Sequence, residues 1–387
     1  MTLEFTAGNR LTLLKNGTEF FPALEEAIRA AQRDIHIETY IYADDDTAHR
    51  ITGALAEAAG RGVAVHVLID GFGSRDLMPG DLEQQLSAAG IKLLVFRPEV
   101  PGLRFRRQRL RRMHRKIAIV DARVAFVGGI NIIDDMHTPR HMPPRFDFAV
   151  RIEGPLVAQI EQRVHRLWSL VAWVNLRQRW SNDRNAKSDL TPKGAQRVAL
   201  LVRDNLRHRS DIEDAYLEAI QVAREEIIIA NAYFFPGQRF RNALVEAARR
   251  GVRVVLLLQG KVEYVLLHYA SRALYGTLLD AGVEIHEYYR SFLHAKVAVI
   301  DRHWTTVGSS NIDPFSLTLA REANVVVLDR KFAAELHAAL QQALELGARV
   351  VPKSSWFRQP LWRRVVIWVA YATARVLMGV FGYGGKH

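Results

Sequence analysis

One segment of this chain is written twice. His114, Lys116 and Asp121 in MHRKIAIVD (113–121) return as His294, Lys296 and Asp301 in LHAKVAVID (293–301). The likeness is not confined to that segment. RDIHIETYIY (33–42) matches EEIIIANAYFF (225–235), AAGRGVAVHVLIDG (58–71) matches AARRGVRVVLLLQG (247–260), and LSAAGIKL (86–93) matches LLDAGVEI (278–285). The order is kept, and the offset varies only from 180 (114 to 294) to 192 (90 to 282), as loops of unequal length require. A chain duplicated in this way must fold as two like units, so any fold has to accommodate the unit twice.

Within each copy, helical and strand periodicities alternate. FPALEEAIRAAQR has apolar residues at helical spacing and DIHIETYIY alternates as a strand; RITGALAEAAGRG reads as a helix ending at glycine and VAVHVLID as a buried strand. IAIVDARVAFVGG and VAVIDRHWTTVGS each read as two strands joined by a tight turn. The expectation is an α/β fold with a mixed sheet in each half and a pseudo-twofold relation between them. A long helical stretch (154–180) closes the first half, and the polar SNDRNAKSDLTPKGAQ (181–196) marks the boundary. The division is therefore 1–185, 186–350, and a C-terminal segment 351–387.

Of the 387 residues, 49% are hydrophobic, enough for a large core, and there is no cysteine, which excludes disulfides, thiolate catalysis and sulfur-ligated metals. Lys and Arg outnumber Asp and Glu by 53 to 41, and the net charge of +12 asks for an anionic partner: nucleic acid or an anionic membrane. The N-terminus shows no basic segment followed by an apolar one, so no cleaved leader is expected and the chain is placed in the cytosol.

Side chains two apart on a strand share a face, so His114 with Lys116, and His294 with Lys296, should point together. Asp121 and Asp301 have the opposite parity and sit where the strand turns back; they are read as structural. Gly128 and Gly308 follow the aspartates by seven residues, and Asn131 and Asn311 by ten. Each half thus offers an imidazole, an ammonium and an amide, and two halves facing each other offer two of each. That set suits a phosphodiester. Lysines and asparagines can hold the phosphoryl oxygens without a metal; one neutral histidine can attack phosphorus and the other, protonated, can donate to the leaving oxygen. Histidine suits both roles because it titrates near neutrality.

HRKIAIVD…GGIN and HAKVAVID…GSSN resemble the paired His-x-Lys-x4-Asp motifs of the phospholipase D superfamily, and the likeness spans most of residues 8–330. GNRLTLLKNGTEFFPALEEAI, IHIETYIYADD, VRIEGP, ANAYFFPG and HWTTVGSSNIDPFSL resemble the bacterial cardiolipin synthases, in particular the B-type without two N-terminal transmembrane helices. The resemblance implies two phospholipase D-like domains. It implies that one of His114 and His294 forms a phosphatidyl-enzyme intermediate while the other is the acid/base, with Lys116, Lys296, Asn131 and Asn311 as phosphate ligands. It also implies that Asp147 and Glu322 each hydrogen-bond a catalytic histidine of the other half and orient it. Gly129 stands where the second copy has Ser309, so a Ser309 hydroxyl contact to phosphate would lack a counterpart. Symmetry leaves open which histidine attacks; His114 is taken as nucleophile and His294 as acid/base.

RFRRQRLRRMHRK (104–116) carries seven arginines against the first motif, in a loop that could grip lipid head groups or a nucleic-acid backbone. The C-terminus separates the two. VVIWVAYATARVLMGVFGY (365–383) is apolar apart from Arg375; as a helix it puts Arg364, Trp368, Tyr371 and Arg375 on one side and Val366, Val369, Val376 and Val380 on the other. That suits a helix lying in the membrane interface, ahead of a core helix and then a span, which would bury Arg375 at a cost of about 2.5–3.5 kcal/mol. EYVLLHYASRALYG (263–276) is either a second lipid-facing element or a buried helix. DDMHTPRH (134–141) is read as a loop and not a metal site because of Pro139, and DDDTAH (44–49) as a helix start.

The expectation is a monomeric phosphatidyltransferase with one site between the halves and no metal or cofactor. It would make cardiolipin from two phosphatidylglycerol molecules and release glycerol, peripherally on the cytoplasmic face of a bacterial inner membrane, with no nucleic-acid partner. A lipid hydrolase, with water as acceptor, uses the same residues; a nuclease is the more distant alternative.

Overall fold

The computed structural model describes residues 3–77, 80–98, 111–136, 138, 142–175, 189–204, 208–262, 265–313 and 320–380. Most of the arginine-rich loop, half of the polar boundary segment, His137, His141 and residues 381–387 lie outside them. The first half contributes β1 (Thr6–Lys15), β2 (Asp34–Thr39), β3 (Ala64–Asp70), β4 (Lys92–Phe96), β5 (Lys116–Val120), β6 (Val124–Gly128), β7 (Met142–Phe146) and β8 (Phe148–Glu153). The second contributes β9 (Gln196–Arg203), β10 (Glu226–Asn231), β11 (Arg253–Gln259), β12 (Glu284–Tyr288), β13 (Ser291–Leu293), β14 (Lys296–Ile300), β15 (Trp304–Gly308), β16 (Glu322–Leu328) and β17 (Ala348–Val350).

Fifteen strands form one mixed sheet, ordered β17-β12-β11-β10-β14-β15-β16-β9-β1-β8-β6-β5-β2-β3-β4, and β7 pairs separately with β13. Outward from the β9–β1 junction the two halves repeat the same order, which makes the pseudo-twofold relation explicit. The two expected sheets are thus continuous, joined by antiparallel pairing of Thr6 with Val198 and Asn9 with Gln196.

The central strands are buried on both faces. Ile117 and Ile119 of β5, with Val297 and Val299 of β14, pack under α4 (Leu156–Val174) and a long helix, Arg330–Gly347. Ala118 and Val120 face α1 (Asn16–Ala30), α2 (Asp46–Gly60) and α3 (Asp81–Ala88). Ala298 and Ile300 face α5 (Asp211–Val222), α6 (Gln238–Arg249), α7 (Val265–Arg272) and α8 (Tyr275–Asp280). The long helix is α9, followed by α10 (Lys353–Phe357) and α11 (Leu361–Val380). Helices α2 and α6 stop at the same place in the repeat: Gly62 and Gly251 both have φ +91°, and a Cβ on either would meet nothing within 4 Å. Glycine is needed there for its left-handed backbone and not for space. Asp45 begins α2 by accepting from Ala48 N–H, as the reading of DDDTAH expected.

The motif aspartates close the β5–β6 and β14–β15 hairpins. Asp121 and Ala122 have φ +53° and +52°, and Asp301 and Arg302 both +49°, the two left-handed central residues of turns closed by Arg123 N–H to Val120 O and His303 N–H to Ile300 O. Each carboxylate also accepts three successive backbone N–H groups, Gln32, Arg33 and Asp34 for Asp121, and Arg224, Glu225 and Glu226 for Asp301, at 2.8–3.0 Å. These acids tie each hairpin to the start of β2 or β10, at the strand end away from the histidines.

Candidate active site

Strands β5 and β14 begin at the lysines, so the His-x-Lys pair does not lie within a strand as its alternation suggested. The cause is a crossing between halves. His114 N–H donates to Arg321 O at 2.9 Å and Arg321 N–H to Arg112 O at 2.7 Å; equivalently, β13 pairs with β7 and His294 N–H donates to Phe146 O at 2.9 Å. Backbone groups that would have extended β5 and β14 are committed to the opposite copy instead.

Arg321 and Phe146 immediately precede Glu322 and Asp147, so the crossing sets each histidine against the other half's acid. His114 Nδ1 lies 3.0 and 3.2 Å from the two Glu322 oxygens, and His294 Nδ1 lies 2.6 Å from Asp147 Oδ2. With Nδ1 facing a carboxylate, the ring proton resides there and Nε2 carries the lone pair. Lys116 Nζ donates to His114 O at 2.6 Å and Lys296 Nζ donates to His294 O. Both lysines are buried.

The titrations show the two motifs sharing one field. Burial holds His114 below the ordinary histidine value, against Glu322, while Lys116 and the other half's Lys296 push the same way as burial. Burial and Lys296 bring His294 down to about 3, opposed by Asp147 and aided by Lys116 of the first half. Burial brings Lys116 down to about 7 against the pull of Glu322. Against the protein's own groups both imidazoles are therefore neutral at pH 7, and added negative charge nearby would raise both values.

Both motif asparagines are buried. Asn131 Oδ1 accepts from Ile41 N–H at 3.1 Å, which leaves its NH2 as a donor; Asn311 Oδ1 has no partner among the described residues. Ser309 is placed differently from the expectation. It is fully buried, and its Oγ donates to Glu322 Oε2 at 2.5 Å and accepts from Ala323 N–H at 3.0 Å. Its hydroxyl is committed to the acid and does not face a phosphate. The glycine opposite it has a matching reason: a Cβ on Gly129 would lie 2.4 Å from Asp147 Oδ1. The shorter acid goes with glycine and the longer acid with serine.

Sequence reasoning missed several neighbours. Tyr40 packs edge-on to His114 with ring centroids 4.8 Å apart, and Lys116 Nζ lies 5.4 Å from the Tyr40 ring. Phe292 stacks on His294 at 5.9 Å. Arg115, between the first His and Lys, is buried and ion-paired with Glu38, Nη2 to Oε1 at 2.7 Å. The signal for these lay in the places where the copies differ, since Tyr40, Glu38 and Arg115 align with Ala232, Ala230 and Ala295. In the former metal candidate, Asp135 accepts from Gly17 N–H at 2.6 Å and Asp134 from Met136 N–H. Among the described residues no cluster of three or more His, Asp or Glu could hold a metal.

A family model described as "Cardiolipin synthase, PLD-like domain" matches residues 24–168 and 216–344. The chain belongs to this family of phospholipase D-like cardiolipin synthases. Cardiolipin synthase B of Escherichia coli strain K12 is 42% identical over 362 residues, covering 92% of this chain and 87% of the relative. The major cardiolipin synthase ClsA of Bacillus subtilis is 30% identical, covering 93% and 74%. The crystal structure of phosphatidylserine synthase from Haemophilus influenzae shares the fold, with a TM-score of 0.73 at 14% identity over 97% of this chain and 95% of that one.

Proposed function

We propose that this family member is a phosphatidyltransferase that joins two phosphatidylglycerol molecules into cardiolipin through a phosphohistidine. The crossed pairing of His114 with Glu322 and His294 with Asp147 carries the reading, because it engages each Nδ1, leaves the Nε2 atoms for chemistry, and sets each histidine in the field of the other half's lysine. In the first step His114 Nε2 attacks phosphorus, the P–O bond to glycerol breaks, and protonated His294 gives its Nε2 proton to the departing oxygen. In the second, a hydroxyl of another phosphatidylglycerol attacks phosphorus, the P–N bond breaks, and the hydroxyl proton returns to His294. Lys116, Lys296, Asn131 and Asn311 hold the phosphoryl oxygens, and Glu322 and Asp147 orient the rings and steady their charged forms. The resting neutrality of both histidines supports it: the arriving phosphodiester supplies the negative charge that lets one of them take a proton.

Attachment to a lipid surface draws support from α11 and α7, which pack together. Helix α11 buries Ile367, Ala370 and Ala374 against the body, with Tyr371 on Phe235, so the side expected to hold only headgroup contacts partly faces protein. Trp362, Val365, Trp368, Val369 and Val376 are exposed beside Arg363 and Arg364, and Val265 of α7 is exposed as well. Trp and Arg beside exposed valines suit the anionic interface. No described helix is long and apolar enough to cross a membrane.

The deciding experiment incubates the protein with phosphatidylglycerol vesicles and a chelator and identifies lipid products by mass. Cardiolipin with released glycerol is expected. Phosphatidic acid alone indicates the hydrolase, and unchanged lipid sinks the reading.

A further inference from the structure

The two copies differ most in the space beside their histidines. In the first half, Tyr40 fills it, packing on His114 and over Gly73, where a Cβ would come within 2.9 Å of its ring. At the end of β3, Asp70 is saturated: Oδ1 accepts from Phe72 and Gly73 N–H at 2.9 and 3.2 Å, and Oδ2 from Met113 N–H, just before His114, at 2.8 Å. In the second half Tyr40 is replaced by Ala232 and Asp70 by Gln259. Gln259 makes the corresponding bond, Oε1 accepting from Leu293 N–H just before His294 at 3.4 Å, but its Nε2 is buried with no partner among the described residues. Gln259 is only 9% exposed.

That amide lines a solvent-open cavity between the ends of β10 and β11 and helix α7. Ala232 also lines it and bonds, through its N–H, the carbonyl of Ala295 just after His294. The wall is therefore hydrogen-bonded to the chain on both sides of His294. Its polar groups are Gln259, Ser271, His268, Tyr233 and Lys261, with no carboxylate among the lining residues. Ser271 Oγ donates to Leu267 O at 2.9 Å, so its oxygen is left to accept. Burial and Arg272 bring His268 down to about 4, so it is neutral at pH 7 and can both donate and accept. The same helix exposes Val265 on its outer side, and Phe235 of the cavity wall carries Tyr371 of α11. A head group whose tail stays in the bilayer could thus reach the cavity.

We propose that this cavity binds the polyol head group, both the glycerol that leaves and the glyceryl hydroxyl that attacks. The proposal rests on the phosphatidyl-transfer reading and deepens it. The donors and acceptors of Gln259, Ser271, His268 and Tyr233 match vicinal hydroxyls, and an ammonium head group would meet the Lys261 cation and no carboxylate. With this cavity on the His294 side and Tyr40 packed on His114 where the second half has Ala232, the asymmetry assigns proton transfer to His294 and attack to His114.

The test uses the full chain with phosphatidyl-p-nitrophenol vesicles and equal concentrations of free glycerol and ethanolamine as competing acceptors. Lipid products are read as a ratio, so overall rate does not enter. Wild type should favour phosphatidylglycerol over phosphatidylethanolamine. Gln259→Glu keeps an oxygen for Leu293 N–H while exchanging the donor for a carboxylate, and should shift the ratio toward ethanolamine by at least roughly tenfold. Ala232→Tyr, which copies the first half, should lower glycerol capture relative to water. Thermal unfolding confirms that each variant is folded. Ratios in both variants equal to wild type overturn the polyol site alone. A wild type that forms no phosphatidyl-histidine adduct from the nitrophenyl ester overturns the transfer reading, and this site with it.

Discussion

Tyr40 packs on His114, whereas the second half has Ala232 at that position and a cavity beside it. The first half surrounds its histidine with Tyr40, a saturated Asp70 and the buried Glu38–Arg115 pair; the second has Ala232, Gln259, Ala230 and Ala295 at those positions. What the halves share is the inner arrangement of histidine, lysine, crossed acid and hairpin aspartate. On the proposed reaction, duplication preserved the parts needed twice to bracket a phosphorus atom and let diverge the parts that decide what approaches from each side.

The largest effects test whether the histidines divide the labour. His114→Ala and His294→Ala should each lower cardiolipin formation by roughly 10⁴-fold or more. With the nitrophenyl ester, whose leaving group needs no proton, His294→Ala should still show the phosphatidyl adduct by mass spectrometry of the intact protein and His114→Ala should not. The reverse pattern would exchange the two roles.

Next come the acids. Glu322→Gln and Asp147→Asn retain shape but lose the charge that steadies each imidazolium, and should cost roughly 10²–10⁴-fold in kcat. Gly129→Ser should act like Asp147→Asn because its Cβ displaces the carboxylate, whereas Ser309→Gly removes one hydrogen bond to Glu322 and should cost far less. Equal losses would show that the serine–glutamate and glycine–aspartate pairings are not adapted to each other.

The Glu38–Arg115 pair is tested by stability. Glu38→Ala strands a buried guanidinium and should lower unfolding free energy in urea by about 3–5 kcal/mol. Glu38→Ala with Arg115→Ala, which imitates Ala230 and Ala295, should restore part of that loss, and a double variant worse than the single one contradicts the comparison.

The smallest effect concerns protons. Both histidines are held low by burial, His294 to about 3, so without a bound anion neither is protonated at pH 7. An anion raises these values, so binding takes up a proton. Affinity for inorganic phosphate should then fall as pH rises through the bound-state value, by up to about tenfold per unit. Calorimetry in buffers of different ionisation enthalpy counts the proton, and a count of zero rules this linkage out.

Much of this was legible because it was written twice. The repeat located His114, Lys116, Asp121, Asn131 and their second copies, and the hairpin turns followed from local spacing. Asp147 and Glu322 were found by their place in the repeat, but their crossing rests on hydrogen bonds between residues 147 and 208 positions apart, beyond the reach of any local pattern. Ser309 was misplaced for a related reason. Sequence showed a hydroxyl near a phosphate site, and only the packing showed that the longer Glu322 had already taken it. The burial of one stripe of α11 was equally invisible, because apolar residues crowd its whole circumference.

The seam between β1 and β9 has a mechanical meaning. Two lobes that share a hydrogen-bonded sheet across their boundary cannot open like jaws without breaking that ladder, so this architecture lacks a hinge where many enzymes keep one. Substrate exchange has to occur through side chains, loops and sideways travel of the lipid itself. On the proposed reaction, water is kept from the intermediate by the incoming lipid, so that the fate of each phosphatidyl group depends on how quickly the next head group arrives.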